Sequence, residues 1–415
     1  MGRGFSPLDE ELGLLPGRLC PSLVESAVRL GAWMPFGPAA AMLAHFTKVE
    51  VGGETARRIT EGAGAAYVAA QEAELERLER EDSISPEGPE LQQLSVDGAM
   101  VPLVHKEWAE VKTLAIGVVR QREEDGKMVP HTEELSYFSR LADHLAFARS
   151  AFVEAYRRGV ARAGKVAGVT DGADWEQTFL DLLRADAVRI LDWPHAAEHL
   201  AQAASAVFGQ GSAESLRWFH VQLRELKEGD PEVVLAKLRG IRDDLLLVGG
   251  RAEAAEVVSS TLDYLEKRRG MIRYAEFVRE GLPIGSGIVE SANKLVVEAR
   301  LKGAGMHWER RNVDPMLALR NVACNDRWEE AWPMIASRLR QEPKRRSAAR
   351  REMRRAERAS AHSAPAEPIQ EQPKTVPTSP RKAKPKTKSA ADTDHRPAAN
   401  HPWRKDPIGK ARHTT

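Results

Sequence analysis

The sequence predicts an α/β protein whose mixed β-sheet is covered by helices on both faces. Short β-branched segments with strand-like alternation occur at 94–103, 111–122, 165–174 and 187–193. The join between the first two is short enough for antiparallel neighbours, and the helical segment WEQTFLDLLR separates the last two. Antiparallel strands followed by strand, helix and strand suit a mixed sheet.

Helical periodicity dominates the rest of the 415-residue chain, which is long enough for more than one structural unit. The segment ELSYFSRLADHLAFARSAFVEAYRRGVA, residues 134–161, is expected to be helical. The predicted divisions are an N-terminal helical region at 1–84, the first part of the core at 85–193, an α-helical insertion at 194–281, the last part of the core at 282–337 and a tail at 338–415.

Several classes of protein are disfavoured by composition. No stretch approaches the roughly 18 to 20 apolar residues that span a bilayer, and the N-terminus lacks the pattern of a secretory signal. Cys20 and Cys324 are the two cysteines, and their separation encodes neither a disulfide framework nor a cysteine zinc site. We therefore expect a cytoplasmic protein in a reducing compartment.

The C-terminal tail is strongly basic, whereas the rest of the chain is acidic. From residue 338 onward there are 21 Lys and Arg against 8 Asp and Glu, whereas the preceding residues hold 40 basic and 52 acidic side chains. The tail is also rich in Pro, Ala, Ser and Thr, so it is expected to be disordered. Such a polycation attracts DNA phosphates without reading sequence. A solubilising tail without a partner explains the same composition equally well.

The N-terminal region contains two predicted helices joined by a short glycine-bearing turn. This pattern suggests a helix-turn-helix whose second helix, at 54–59, presents Arg57 and Arg58 to a major groove. A hairpin that serves packing or dimerisation has the same pattern. Both interpretations remain open from the sequence.

Two aspartates stand in similar surroundings. Asp97 and Asp171 each follow an apolar β-type run and precede a glycine. An acid at the end of a strand, next to a residue that lets the backbone turn, is expected at the rim of the sheet, where ligand sites form. Taken singly, each Asp-Gly pair is more typical of a simple turn than of a ligand site.

A third acid, Glu290, begins a helix after the turn Ile-Gly-Ser-Gly. The apolar helix residues are expected to face the core, which leaves Glu290 on another side with Asn293 and Lys294. Three converging carboxylates need a cation between them, and hard oxygen ligands suit Mg²⁺ or Mn²⁺. Two such ions support in-line attack at phosphorus. The alternative for Glu290 alone is a solvated helix residue near the helix dipole.

The motifs together resemble one enzyme family. FSPLDEELGLLPG, VRLGAWMPF, SVDGAMVP, VTDGADW, ILDWPHAAEHL, IGSGIVESANKLV and RLKGAGMHW occur in that order, followed by LALRN. With these segments, which extend from residue 5 to about 321, the chain resembles the ISKra-type insertion-sequence transposases, relatives of the Mutator-like group.

The resemblance implies an RNase H-like catalytic core in which Asp97, Asp171 and Glu290 are the three acids of a DDE site. It further implies two Mg²⁺ or Mn²⁺ ions per site, cleavage of DNA at element ends and strand transfer into target DNA. Because two DNA ends must meet, a homodimer or higher oligomer on DNA is expected.

The segment ILDWPH matches an Asp-x-x-His element of Mutator-like enzymes, carried here by Asp192 and His195. If Asp192 ends a strand and His195 opens a helix, the two side chains can meet and support the active site or a DNA strand. A histidine that is simply satisfied at a strand-helix junction is the alternative, and the segment does not resemble a zinc site.

Four residues along and beyond the Glu290 helix are candidates for DNA contact. Lys294, Arg300 and Lys302 are expected to hold phosphates without base specificity, and Trp308 to stack on an extruded base. A solvated helix face is the alternative for the three cations, and a core position is the alternative for the tryptophan.

The chain also departs from the family pattern. Family members often carry a cysteine-rich, zinc-ribbon-like stretch upstream of GRGFSPLDEELG, whereas Met1 here directly precedes Gly2. We therefore expect an N-terminally shortened chain. The alternative function that follows is an inactive remnant that binds DNA without cutting.

Overall fold

The structure, a computed structural model, describes residues 15, 19–81, 83–341 and 351–353. The chain divides into two units, Met1–Arg354 and Arg355–Thr415, and all described residues belong to the first. Most of the predicted tail therefore lies outside the described residues. Of its residues, 338–341 continue a helix that begins at 328, and 351–353 are helical, so the prediction of disorder is wrong at these positions.

The centre of the fold is a five-stranded mixed sheet in the order β3-β2-β1-β4-β5. The β1–β2 and β2–β3 pairs are antiparallel, and the β1–β4 and β4–β5 pairs are parallel. The predicted mixed α/β architecture is thus confirmed. The strands are β1 Leu91–Pro102, β2 Trp108–Glu124, β3 Lys127–Arg140, β4 Lys165–Thr170 and β5 Val188–Leu191.

Strand β3 occupies part of the segment expected to be helical, 134–161, and that expectation is wrong up to Arg140. Asp125 and Gly126, both with positive φ, form the two-residue turn from β2 into β3. Such a turn matches the twist of an antiparallel hairpin. Glu134 also has positive φ, and the β2–β3 register shifts nearby, which breaks the simple alternation of the strand.

Helices cover both faces of the sheet. The helices are α1 Pro21–Trp33, α2 Phe36–Thr47, α3 Gly53–Glu81, α4 His144–Arg157, α5 Asp174–Arg184, α6 Trp193–Phe208, α7 Ala213–Glu228, α8 Pro231–Val248, α9 Ala252–Lys267, α10 Tyr274–Arg279, α11 Gly287–Ala292, a π-helical turn Asn293–Glu298, α12 Ala299–Leu301, α13 Arg310–Cys324 and α14, described over 328–341. Leu94 and Val96 of β1 pack with α4 and α5 on one face of the sheet. Ala99 and Val101 pack with α11, the π-helical turn, α12 and α13 on the other face.

The helices α6 to α10 occupy the segment predicted to be a helical insertion, 194–281. Their apolar side chains share one core with Val169 of β4 and Ile190 of β5. The helical segment is therefore attached to the parallel edge of the sheet, where β4 and β5 end.

The N-terminal helices form a separate layer. Val28 of α1 and Ala63 of α3 pack against Leu319 of α13 and Ile335 of α14. Among the described helices, none is long and apolar enough to cross a membrane.

Candidate active site

The strand register brings the two predicted aspartates together. β1 and β4 are parallel, and their pairing ends with Leu94 opposite Gly168, three residues before each aspartate. The charge of Asp171 acts on Asp97, and the charges of both aspartates act on His195, so the two acids belong to one cluster. Asp171 directly follows β4, as predicted. Asp97 does not end its strand, because it pairs with Thr113 and β1 continues well beyond it.

The Asp97 carboxylate is enclosed between β1 and the helix that follows Gly287. Its Oδ2 accepts a hydrogen bond from Asn293 Nδ2 at 2.8 Å, and its Oδ1 accepts one from Gly98 N at 2.6 Å. Burial raises the pKa of Asp97, and the neighbouring charge of Asp171 raises it further. A cation beside Asp97 would therefore stabilise the ionised form of its carboxyl group.

The loop that carries Asp171 is held by helix α9 and by the residue just after it. Tyr264 OH donates to the Asp171 carbonyl at 2.6 Å, and Arg268 Nη2 donates to the Gly172 carbonyl at 2.7 Å. Gly172 has a φ of +81°, and a Cβ there would lie 2.2 Å from Arg268 Nε. Only glycine fits this backbone without strain, so the position of Asp171 depends on it.

Glu176 on α5 is a buried carboxyl beside Asp171. Its Oε2 accepts hydrogen bonds from Gly172 N at 3.0 Å and Ala173 N at 3.2 Å. Burial, then a hydrogen bond with Asp171 and the charge of Asp171, raise the pKa of Glu176 to about 10. The buried Glu176 carboxyl and Asp171 are therefore coupled, and the negative charge of Asp171 disfavours ionisation of Glu176.

Asp192 and His195 form the pair that the sequence suggested. Asp192 caps helix α6 and is fully buried, and its Oδ2 lies 2.7 Å from His195 Nδ1. The hydrogen bond to Asp192 raises the pKa of His195, and the charges of Asp171 and Asp97 add to this effect. Burial opposes ionisation of Asp192, but its hydrogen bonds lower its pKa on balance. The His195 ring thus lies close enough to the carboxylates of Asp192, Asp171 and Asp97 for their charges to favour its protonated form.

Asp192 also fixes the loop before α11. Its Oδ1 accepts a hydrogen bond from Ser286 N at 2.6 Å, and Trp193 N donates to the Ile284 carbonyl at 2.9 Å. Gln93 Nε2 on β1 donates to the Gly285 carbonyl at 2.8 Å. These contacts tie the start of the Glu290 helix to both β1 and α6.

Glu290 lies in the first turn of α11 and is half-buried. Within the described part of the chain, its carboxylate makes no hydrogen bond or ion pair with a side chain or backbone group. Asn293, one turn later, is 6% exposed and occupies the buried face of the helix between Ala292 and Val296. The structure therefore places Asn293, rather than Glu290, in contact with Asp97.

Two aspartates fit one divalent cation. Asp97 and Asp171 are hard oxygen donors whose like charges repel, and the buried Oδ1 of Asn293 has no hydrogen-bond partner. Across residues 15, 19–81, 83–341 and 351–353, no group of three or more His, Cys, Asp or Glu side chains is arranged to hold a metal ion. A third carboxylate for a second ion would have to come from Glu290.

The predicted DNA contacts on α3 differ in exposure. Arg57 is paired with Glu54 and Glu61, each at 2.6 Å, whereas Arg58 is exposed. Arg58 is therefore the more accessible of the two cations.

The residues expected to contact DNA beyond the Glu290 helix lie in different surroundings. Lys294 is exposed, and Lys302 pairs with Glu298 at 2.7 Å. Arg300 is 1% exposed and lies 5.1 Å from the centre of the Trp308 ring, which is itself buried. In this structure Arg300 and Trp308 belong to the core, and the lysines face solvent.

Sequence reasoning missed Glu176, Tyr264 and Arg268, which shape the site, and it wrongly placed Asn293 away from the core, where the structure buries it. Glu176 has a local signal, because a glutamate three residues after the start of a helix commonly reaches back to the first backbone amides. Tyr264, Arg268 and Asn293 have no such signal, since their partners lie far away in the chain. Comparison with protein-family models found no match for this chain, and comparison with curated proteins found none either.

Proposed function

We propose that the protein is a DDE-type transposase with an RNase H-like core, similar to the ISKra-type enzymes. The observation that carries the proposal is the nearness of Asp97 and Asp171, whose charges interact, together with the contact of Asp97 with Asn293, three residues after Glu290. The strand order, with antiparallel β1 to β3 and parallel β4 and β5, is compatible with such a core. The ordered motifs of the sequence support the same family.

The reaction would begin with hydrolysis of a phosphodiester at an element end. Asp97 and Asp171 would hold a Mg²⁺ or Mn²⁺ ion, with Glu290 as the third ligand and a second ion shared among the three. Bound cations supply an activated water and neutralise charge at the phosphorus. The bond from the water oxygen to phosphorus forms as the bond to the 3′-oxygen breaks, which leaves a 3′-hydroxyl and a 5′-phosphate.

The freed 3′-hydroxyl would then attack a phosphodiester of target DNA in the same site, so that a new bond from its oxygen to phosphorus forms as the bond to the target's 3′-oxygen breaks and a target 3′-hydroxyl is released. His195, held by Asp192, would place a positive charge beside the phosphate oxygens. The contacts of Tyr264 and Arg268 would keep Asp171 in one position through both steps. A homodimer or higher oligomer would bring the two DNA ends together.

A nicking assay tests the proposal. The substrate is a plasmid that carries the DNA flanking the gene on both sides, with Mg²⁺ or Mn²⁺, and the variants are Asp97→Asn, Asp171→Asn and Glu290→Gln. We expect each variant to lose at least about 10³-fold in rate, because several kcal/mol of charge stabilisation disappear. Asp244→Asn, an exposed acid on α8, is the matched control and should cut at the wild-type rate.

DNA binding is measured in parallel by mobility shift. Loss of cutting with binding retained in the three variants supports the proposal. A wild-type protein that binds the plasmid and never cuts it with either ion contradicts the enzyme proposal.

A second candidate function is a transposase remnant that binds DNA without cutting. The observation that favours it is the position of Glu290, whose carboxylate is not gathered with Asp97 and Asp171 into a metal-binding group among the described residues. For this candidate, wild type and Glu290→Gln bind DNA equally and both fail to nick it.

A further inference from the structure

The residue Asn293 combines three unusual features. It is buried in a helix face that is otherwise apolar, formed by side chains such as Val289, Ala292 and Val296. Its Nδ2 donates to Asp97 at 2.8 Å, across 196 positions of the chain. Its Oδ1 is buried without a hydrogen-bond partner.

This arrangement is costly for stability alone. A buried carbonyl oxygen without a partner costs about 1–3 kcal/mol, and the apolar side chains beside Asn293 offer it no donor. The asparagine also opens a π-helical turn, Asn293–Glu298, and such turns commonly mark functional positions. Packing therefore does not explain why an amide occupies this position.

The contact joins two parts of the site. Asn293 lies three positions after Glu290, so both side chains project toward the same side of the helix. The amide donates to the Asp97 Oδ2 atom and, together with the hydrogen bond from Gly98 N to Oδ1, restrains rotation of the carboxylate about its χ2 torsion.

We infer that Asn293 is a positioning residue, which orients the Asp97 carboxylate for a divalent cation and couples it to the helix that carries Glu290. The inference rests on the proposed function, because it assumes that Asp97 binds the cation. Groups that orient metal ligands typically change metal affinity by about 10- to 100-fold when they are removed.

The test uses the full chain without DNA, and its probe is Mn²⁺ alone. Free Mn²⁺ is measured by electron paramagnetic resonance, and thermal unfolding is followed with Mn²⁺ or with EDTA. We expect Asn293→Leu to remain folded in EDTA and to bind Mn²⁺ about 10- to 100-fold more weakly.

Asn293→Asp keeps the shape of the side chain but places a third carboxylate beside Asp97. We expect it to unfold at a lower temperature than wild type in EDTA, because the charges repel. Mn²⁺ should bind it at least as tightly as wild type and raise its unfolding temperature by a larger amount.

Asn321→Leu is the matched control. Asn321 is similarly buried, but its side chain bonds only to the backbone of Ser139. We expect this variant to unfold at a lower temperature with or without Mn²⁺ and to keep the wild-type affinity for Mn²⁺.

Two results would overturn the inference while leaving the proposed function intact. They are wild-type Mn²⁺ affinity in Asn293→Leu, and an equal loss of affinity in Asn321→Leu. A wild-type protein that neither binds Mn²⁺ nor nicks DNA would overturn the inference and the proposed function together.

Discussion

The Asp171 side and the Glu290 side of the site are held in different ways. The loop after β4 is fixed by Tyr264, Arg268 and Glu176, which hydrogen-bond to its carbonyl and amide groups. On the other side, the loop before α11 is anchored, yet the Glu290 carboxylate makes no hydrogen bond or ion pair among the described residues. The loop of Asp171 is thus held by hydrogen bonds, whereas no hydrogen bond among the described residues holds the Glu290 carboxylate.

This difference suggests an order of assembly. Ordering a glutamate side chain costs up to roughly 2 kcal/mol of conformational entropy, and the attraction of a cation offsets that cost. Asp97 and Asp171 are already adjacent, so they would bind the cation first. Glu290 would then turn toward the cation, so its binding would be the last step in assembly of the site.

The largest expected effect concerns Glu176, whose pKa is raised to about 10. Because the folded state holds this proton more tightly than the unfolded chain, protonation of Glu176 contributes to the free energy of unfolding. This contribution is complete below the usual pKa of 4.5 and is lost as the pH rises toward 10. Glu176→Gln stays neutral, so wild type should lose stability relative to it by up to about 1.4 kcal/mol per pH unit.

The measurement is urea unfolding in EDTA at several pH values between these limits. Glu256→Gln, an exposed carboxyl on α9, controls for the loss of one titrating group. A stability difference between wild type and Glu176→Gln that does not change with pH would refute the neutral form of this residue.

The next largest effect is expected for Gly172→Ala. A left-handed backbone costs about 1–2 kcal/mol for a residue with a side chain, and the added Cβ also meets Arg268. We expect a loss of about 2–4 kcal/mol in the free energy of unfolding, together with reduced nicking.

Gly126→Ala separates the two causes, because Gly126 also has positive φ but no atom lies within 4 Å of its added Cβ. It should lose only about 1–2 kcal/mol and keep its nicking rate. Equal losses in the two variants would show that the contact with Arg268 contributes nothing to the Asp171 loop.

The smallest effect on stability is expected for Glu290→Gln. Since the carboxylate has no partner among the described residues, the free energy of unfolding in EDTA should change by less than about 0.5 kcal/mol. The stabilisation by Mn²⁺ should fall at the same time. A large loss of stability in EDTA would mean that Glu290 is held as firmly as Asp171.

The sequence predicted the mixed sheet and its helices because apolar periodicity reports which faces are buried. The sequence did not predict β3, because its apolar and polar residues do not alternate regularly. Pro130 interrupts the strand pattern, and the positive φ of Glu134 and a shift in the β2–β3 register change which side chains face the core. The Asp-Gly pair at 125 and 126, a strong hairpin signal, was the feature that would have revealed this strand.

The candidate site could likewise be predicted only where its residues are marked by a local sequence pattern. Asp97 and Asp171 stand out locally because each precedes a glycine, and Asp192 and His195 are close in sequence. The parallel pairing of β1 with β4 brings the two acids into one cluster, which no local pattern contains. Tyr264 was missed and Asn293 was assigned to the wrong face because the helical contacts that bring them to the site depend on tertiary packing.

Diffraction from crystals soaked in Mn²⁺, collected at the manganese absorption edge, would locate the ion directly. The account predicts an anomalous peak bounded by the carboxylates of Asp97 and Asp171, with a Glu290 oxygen turned to within roughly 2.2 Å of it. A Mn²⁺ ion bound elsewhere, or no peak between the two aspartates at saturating Mn²⁺, would contradict the proposal of a metal-dependent site.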